Sequence, residues 1–391
     1  MTIKITGIEL TPLFVPFKDN IKNILQTSER GVGMAIKVDE AWLGGEFVIC
    51  RLICDDGTIG TSEVFVWLPE TGASSDQIIT VIKRALHPYI INESPFNIDK
   101  MLHKMDNNVA RNEVAKGLID MACFDLMGKV LQQPIYNLIG GKTVDRIPLT
   151  ALIPLADIET IGLLAKAFLK MGFKSFRCKL GRGLNDDIAI SELVRNIIGP
   201  HSHLRVDYNQ AYTPNQAVQA IKSIEKYIID FVEQPTRATD FIGLAYVQNH
   251  VQTPIMVHEG FFSLQDFVTL IKLNAVRVLG INSERPGGIY KAIKAVSIAE
   301  QLGLGVVIHN QPLGLATSMH IHLATAKYSA LTHATELFGN FMYEDDLIKK
   351  PLEYSKGYVN VPLGPGWGVE LDEDALQKYA TSPPTIIGKI P

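Results

Sequence analysis

Cysteine is scarce in this chain: four in 391 residues, Cys50, Cys54, Cys123 and Cys178, with no CxxC pair. That excludes a disulfide scaffold and leaves the four as small buried hydrophobes, free thiols of a reducing cytoplasm. Long apolar runs are missing too. None reaches the roughly 18 to 20 residues that a membrane-spanning helix needs. The N-terminus, Met1-Thr2-Ile3-Lys4-Ile5-Thr6, alternates like a strand and lacks the apolar core of a signal peptide, so a cytoplasmic location is expected. Basic residues are scattered, the net charge is -4, and the most basic cluster is only Lys349-Lys350. A nucleic-acid partner is therefore not expected, nor a membrane. Nor is there a rich phosphate loop after an early strand. Gly181-Arg182-Gly183 is too meagre for one, which weighs against a doubly wound nucleotide-binding sheet.

What is present is an ordinary globular composition, 47% hydrophobic and 20% charged, in a chain long enough for one large and one smaller domain. Residues 3–15 and 47–55 read as strands, the second followed by the turn Asp55-Asp56-Gly57-Thr58. Helical patterns follow near 75–90, 97–107 and 112–131. Strands first and helices after predict an α+β domain over 1–130. From 131 to 355 short apolar strands alternate with amphipathic helices, at 147–153, 175–179, 204–207, 230–233, 255–258, 276–282, 305–309 and 332–337. Eight such units predict a TIM-type (β/α)-barrel. The tail, 356–391, returns to loops and is expected to pack back on the first domain.

In a barrel, chemistry sits at the C-terminal ends of the strands. Here those ends carry Arg177-Cys178-Lys179, Asp207-Tyr208-Asn209, Glu233-Gln234-Pro235, His258-Glu259-Gly260, Asn282, His309 and Glu336. Asp207, Glu233 and Glu259 are evenly spaced, one βα unit apart, which brings three carboxylates to one rim. Oxygen donors of that kind suit magnesium. Side chains alternate along a strand, so Arg177 and Lys179 share a face and Cys178 takes the other. A lysine buried beside another cation becomes a usable base. His320 and His322 sit within a helix and read as structural, while His201 and His203 lie in a turn.

These residues resemble the enolase superfamily, and within it the mandelate racemase subgroup. Ile119-Asp120-Met121-Ala122, Asp125-Leu126-Met127-Gly128-Lys129 and the tail Gly364-Pro365-Gly366-Trp367-Gly368 are similar to its capping domain. The resemblance implies a barrel modified as in that superfamily, with the cap completed by the tail. It implies one Mg2+ held by Asp207, Glu233 and Glu259, and Lys179 as the second lysine of a K-x-K motif. His309 becomes the second catalytic group. Glu336 becomes the donor of a hydrogen bond to the substrate carboxylate. Two positions depart from the pattern. Arg177 replaces the first lysine and is expected to bind the substrate carboxylate. Asn282 stands where the subgroup has an aspartate and the muconate-lactonizing branch a lysine, and is expected to orient His309.

The expected reaction is removal of the proton next to the carboxylate of a small-molecule substrate, giving an enediolate. An imidazolium without a carboxylate partner is the stronger acid, so His309 would help a β-hydroxyl depart and the enzyme would be an acid-sugar dehydratase, a hydro-lyase. The alternatives are a racemase, epimerase or cycloisomerase on the same enediolate, and a catalytically silent descendant kept for binding. Asn209, Ser28 and Trp67 are expected to meet the substrate, the last two from mobile cap segments around 28–33 and 65–67. Asn310 and Gln311 are candidates for substrate hydroxyls. A homo-oligomer is expected.

Overall fold

The computed structural model describes residues 3–26, 43–282, 284–310 and 312–389. Strands are numbered here in chain order. The first sheet is antiparallel, with β1 (Ile5–Pro16), β2 (Gly44–Cys54) and β3 (Ile59–Val66) as neighbours, and β15 (Thr385–Gly388) added at the outer edge of β1. The hairpin between β2 and β3 turns on Asp56 and Gly57. The Asp56 carboxylate accepts the Thr58 N–H at 2.9 Å, and Gly57 adopts φ +84°, where a side chain would be strained. β3 lies outside the two strands expected for this domain. Gly60 and Glu63 within it are poor strand formers, and its pairing comes from β2. Helices Ser75–Val81, Ile98–Asn108 and Glu113–Val130 follow where the periodicity predicts them, the first opened by a Ser74–Gln77 capping box.

The second sheet has eight parallel strands: β5 (Thr150–Ile153), β6 (Ser175–Lys179), β7 (His203–Asp207), β8 (Val232–Glu233), β9 (Ile255–Val257), β10 (Val278–Ile281), β11 (Gly305–Asn310) and β12 (Glu336–Leu337). It closes where Thr335 exchanges backbone hydrogen bonds with Thr150 (2.9 Å) and Pro148 (3.1 Å). Together with the first sheet this is a modified TIM barrel carrying an α+β cap. The expected strand 147–153 is split. β4 (Arg146–Pro148) leaves the barrel and pairs with β14 (Tyr358–Asn360), itself paired with β13 (Tyr354–Ser355). Pro148 has no N–H to give a central ladder, so the chain breaks there. The register sets Lys179 beside Asp207 and Asp207 beside Glu233, while His309 sits beside Glu336. No helix among the described residues is long and apolar enough to cross a membrane.

Cap and barrel are joined by buried carboxylates. Glu63, on β3, accepts the Leu313 N–H at 2.8 Å and the Ala316 N–H at 3.1 Å, at the N-terminus of helix Gly314–Ala326. Asp120 accepts the Tyr290 N–H at 3.3 Å, at the start of helix Ile289–Gln301. Asp125 joins the Thr61 N–H (2.8 Å) to the Trp367 N–H (3.0 Å) of the tail. Helix N-termini favour such acceptors because their first N–H groups have no partner within the helix. Gly288 makes the Asp120 contact possible: a Cβ there would meet the Asp120 carboxylate at 2.2 Å.

Burial pushes the Glu63 carboxyl up from 4.5 to about 8, with the Ala316 and Leu313 N–H groups opposing the shift. The fold thus favours its neutral form. The stability from that preference is full below about pH 4.5 and is lost as pH rises through about 8. Glu63→Gln sacrifices one N–H bond at every pH, a cost of about 1 kcal/mol, but removes the titration. The thermal-midpoint deficit of this variant is expected to shrink as pH is raised through that window. A constant deficit would show that Glu63 does not titrate there.

Candidate active site

The barrel mouth is organised around one guanidinium. Arg177, 2% exposed, donates from Nη1 to Glu336 at 2.8 Å and from Nη2 to Glu233 at 2.8 Å, and it also bridges to Asp207. Strands β6, β7, β8 and β12 meet through it. Arg205 donates to the second Glu336 oxygen at 2.6 Å. Burial alone would raise the Glu336 pKa. The Arg177 and Arg205 guanidiniums more than reverse that and hold it well below the ordinary carboxylate range. An ionised Glu336 has no proton to give, so it does not match the expected hydrogen-bond donor to a substrate carboxylate. Arg177 likewise departs from expectation, because both its terminal nitrogens are already engaged by protein carboxylates.

Lys179 ends β6 with its ammonium 2.8 Å from Asp207 Oδ2 and against Asn209 Oδ1. Asn209 adopts φ +40°, its N–H meets Asp207 Oδ1 at 2.8 Å, and its side-chain amide donates to Glu259 at 2.9 Å. A side chain in that backbone region costs roughly 1–3 kcal/mol and persists where the surroundings dictate it. Asp207 stays ionised: burial opposes this, and Arg177 and Lys179 together lower its pKa. Burial pushes Glu233 the other way. Arg177 offsets only part of the rise and the Asp207 charge adds to it. Glu259 is also raised by burial, with Asp207 next in effect. One oxygen of Glu233 and one of Glu259 have no hydrogen-bond partner.

His258 and His309 lie tilted against each other beside these carboxylates, ring centroids 3.7 Å apart and planes at 47°. His258 Nδ1 lies 3.4 Å from Glu233 Oε1 and 3.7 Å from Glu259 Oε2. Its Nε2 faces Arg285, which also holds Glu70 of the cap at 2.6 Å. His309 Nε2 is 3.3 Å from Glu233 Oε1, and Nδ1 is 4.0 Å from Glu336 Oε1. Neither His309 nitrogen makes a hydrogen bond. Burial pushes the His309 imidazole down to about 3, the Glu336 carboxylate opposing and Arg177 adding to the fall. It is neutral at ordinary pH, whereas the expected acid role needs an imidazolium. The expected Asn282–His309 pairing is not formed either. Asn282 Oδ1 accepts the Arg285 backbone N–H at 2.9 Å and closes the turn after β10.

Among the described residues, Glu233, His258 and His309 offer ligand atoms that all lie within 4.8 Å of one another. Such a carboxylate–imidazole group is able to hold a divalent cation. Of the carboxylate trio read from the sequence, only Glu233 belongs to it, since Asp207 is committed to Arg177, Lys179 and Asn209. Trp67 lines the pocket with Lys179, Asn209 and His309, and so does Asn310, whose amide donates to Glu284. Ser28, the loop 28–33 and Gln311 lie outside the described residues. Arg205, Glu70 and Arg285 were not legible as site residues. For Arg205 a signal exists: it stands two before Asp207 on β7 and shares its face.

Barrel, cap and a buried acid–base cluster at the strand ends define an enzyme of the enolase superfamily. Residues 161–375 match the enolase C-terminal domain-like family, and residues 27–140 match the mandelate racemase/muconate lactonizing enzyme N-terminal domain. The chain is 32% identical over 333 residues, 85% of its own length and 89% of the relative's, to an N-succinyl-L-Arg/Lys racemase of Bacillus cereus. It is 34% identical over 284 residues, 71% of its length and 78% of the relative's, to a hydrophobic dipeptide epimerase of Enterococcus faecalis. The crystal structure of the Bacillus cereus racemase superposes with a TM-score of 0.88 at 30% identity, covering 99% of this chain and 100% of that one. A 2-chloromuconate cycloisomerase structure from Rhodococcus opacus gives 0.87 at 27% identity, covering 97% and 100%. The chain belongs to the mandelate racemase/muconate lactonizing enzyme family.

The guanidinium network carries a stability prediction. Glu336→Leu leaves Arg177 and Arg205 buried without their shared anion. Breaking a buried pair in this way costs about 3–5 kcal/mol. Urea unfolding is expected to show a loss of that size, and a change below about 1 kcal/mol would mean that the two arginines find other partners.

Proposed function

We propose that the protein is an isomerase, of the racemase, epimerase or cycloisomerase type, that moves the proton next to a substrate carboxylate, with Lys179 carrying that proton. The observation that carries this is the setting of Lys179. Two of its three donor positions are spoken for by Asp207 and Asn209, which leaves one for the pocket. Held so, Nζ is a positioned group that takes the proton as an amine and returns it as an ammonium. The C–H electron pair passes into the carboxylate as the enediolate and comes back when the proton does. A divalent cation, Mg2+ by the resemblance, would be held by the unpartnered oxygens of Glu233 and Glu259 and the neighbouring imidazoles. Bound there, it supplies Lewis-acid stabilisation of charge on the substrate carboxylate. The local charge is consistent with this. Asp207, Glu233, Glu259 and Glu336 outnumber Arg177, Lys179 and Arg205, and a cation beside Glu233 and Glu259 would favour their ionised forms.

Two features favour isomerisation over the elimination expected from the sequence. A neutral His309 is a poor acid for a departing hydroxide. Much of the pocket lining is apolar, from Phe65, Trp67, Leu152, Pro154, Leu155 and Met342. Hydroxyls of an acid sugar would lie against it unpaired, which is costly. The named activities of the relatives point the same way. The substrate is thus a carboxylate with an apolar substituent.

Solvent deuterium should enter the α-position of such carboxylates in the presence of the wild-type protein. Lys179→Ala is expected to slow that exchange by about 10² to 10⁴. Undiminished exchange in the variant would remove Lys179 from the chemistry. Formation of 2-keto-3-deoxy products from acid sugars would instead restore the dehydratase.

A further inference from the structure

The Gly181-Arg182-Gly183 link, too meagre for a phosphate loop, leaves β6 just after Lys179 and runs to the helix Leu184–Ile198. We propose that Asp187 and Tyr212, which staple this link to the exit of β7, are positioning residues for Lys179. The inference rests on reading Lys179 as the group that carries the proton.

Lys179 needs such help because it stands at a strand tip. β7 accompanies β6 up to the Lys179–Asp207 pair, and the Leu180 N–H still reaches the Asp207 carbonyl at 2.9 Å. On the other side β5 ends at Ile153, beside Cys178. Beyond the tip, Gly181 and Gly183 adopt φ +105° and +122°, a region that glycine enters most freely, so the link has little stiffness of its own.

The stiffening comes from one carboxylate and one hydroxyl. Asp187, in the first turn of that helix, is fully buried. Its Oδ1 accepts the Gly181 N–H at 2.9 Å and its Oδ2 accepts the Tyr212 hydroxyl at 2.5 Å. The same hydroxyl oxygen accepts the Gly183 N–H at 3.1 Å. Tyr212 lies in the loop after β7, three residues beyond Asn209. There its own N–H meets the Pro235 carbonyl at 3.1 Å, and its ring packs edge-on against Tyr208, centroids 5.1 Å apart. The loop that leaves Lys179 therefore meets, at the Tyr212 oxygen, the loop that leaves Asp207 and Asn209, and those two residues hold the Lys179 ammonium. Arg182, between the glycines, donates to the Ala156 carbonyl at 2.6 Å and ties the link to the β5 exit as well.

Stability alone does not call for this arrangement. Burial raises the Asp187 pKa, and the Tyr212 hydroxyl with the Gly181 and Arg182 N–H groups opposes that rise. Replacing buried polar groups by apolar packing is often neutral for stability, whereas a satisfied network admits one geometry. Neither Asp187 nor Tyr212 lines the pocket, so neither meets the substrate there. What they set is the place of Nζ, and a displacement of about 1 Å at a reacting group costs on the order of 10² in rate.

The test follows solvent deuterium into the α-position of N-acetyl-L-leucine, N-acetyl-L-phenylalanine and L-leucyl-L-leucine with the full chain, and uses whichever exchanges fastest. Y212F removes the hydroxyl, while D187N keeps an acceptor for Gly181 and loses the carboxylate. Y212F is expected to lower kcat by about tenfold to a hundredfold with KM within about twofold of wild type, and D187N to lower kcat less. Added to Lys179→Ala, Y212F should slow the residual exchange no further, because its effect passes through Nζ. Crystal structures need no substrate: Y212F, or D187N where Y212F fails to fold, should show Nζ drawn away from Asp207 Oδ2. A merely structural role would lower the thermal midpoint and leave kcat and the Nζ contact as they are. That result, or a further loss on the Lys179→Ala background, would overturn the proposal. Undiminished exchange in Lys179→Ala with Nζ displaced in Y212F would count against the isomerase reading while the positioning stands. Exchange lost in Lys179→Ala but kept in Y212F would sink the positioning and leave the isomerase.

Discussion

The Arg177 guanidinium is the contact on which the catalytic end of the barrel depends. It is buried, and its terminal nitrogens join carboxylates from three other strands. A charge so far from water is tolerated only when it is fully matched. Matching it fixes Asp207, Glu233 and Glu336 at once, and Asp207 in turn fixes Lys179 and Asn209. The price of one desolvated cation is thus spread over a whole ring of functional groups. Arg205 completes the arrangement by taking the outer oxygen of Glu336. Lysine at position 177 would offer a single point charge where the fork of arginine serves three partners.

Buried acid side chains attach the cap, by hydrogen bonding rather than by matched charge. Glu63, Asp120 and Asp125 are buried acceptors, and what they accept are backbone N–H groups, two of the three carboxylates doing so at helix N-termini. The donating partner is backbone in each case, so the joint is insensitive to side-chain substitutions on the barrel helices other than at the glycine that lets Asp120 approach. A cap-to-barrel ion pair at the site, Glu70 with Arg285, sits beside His258.

Much of this was legible in the sequence. Eight units of alternating strand and helix predicted the barrel, and β6 begins and ends where the pattern put it. Alternation placed Arg177 and Lys179 on one face because that rule is local. What failed was anything that depended on a partner from elsewhere. Glu336 reads as a donor until two arginines are seen against it. Asn282 reads as a partner for His309 by counting along the chain, whereas its amide oxygen closes its own turn, the habitual use of asparagine at a strand exit. His258 looked like a mere neighbour of Glu259, and only the packed barrel shows that it stands between Glu233 and Glu259.

β3 carries a consequence for how this cap could be exchanged. Side chains two apart on a strand face the same way, and Glu63, Phe65 and Trp67 follow that spacing. The first clamps the helix after β11, and the other two wall the pocket. Anchor and selectivity wall are therefore one rigid ruler, with the clamp as its zero mark. A chimera that imports foreign pocket-lining residues without the strand's own acidic peg would shift the wall relative to Lys179. One that transplants the strand whole would carry the alignment with it.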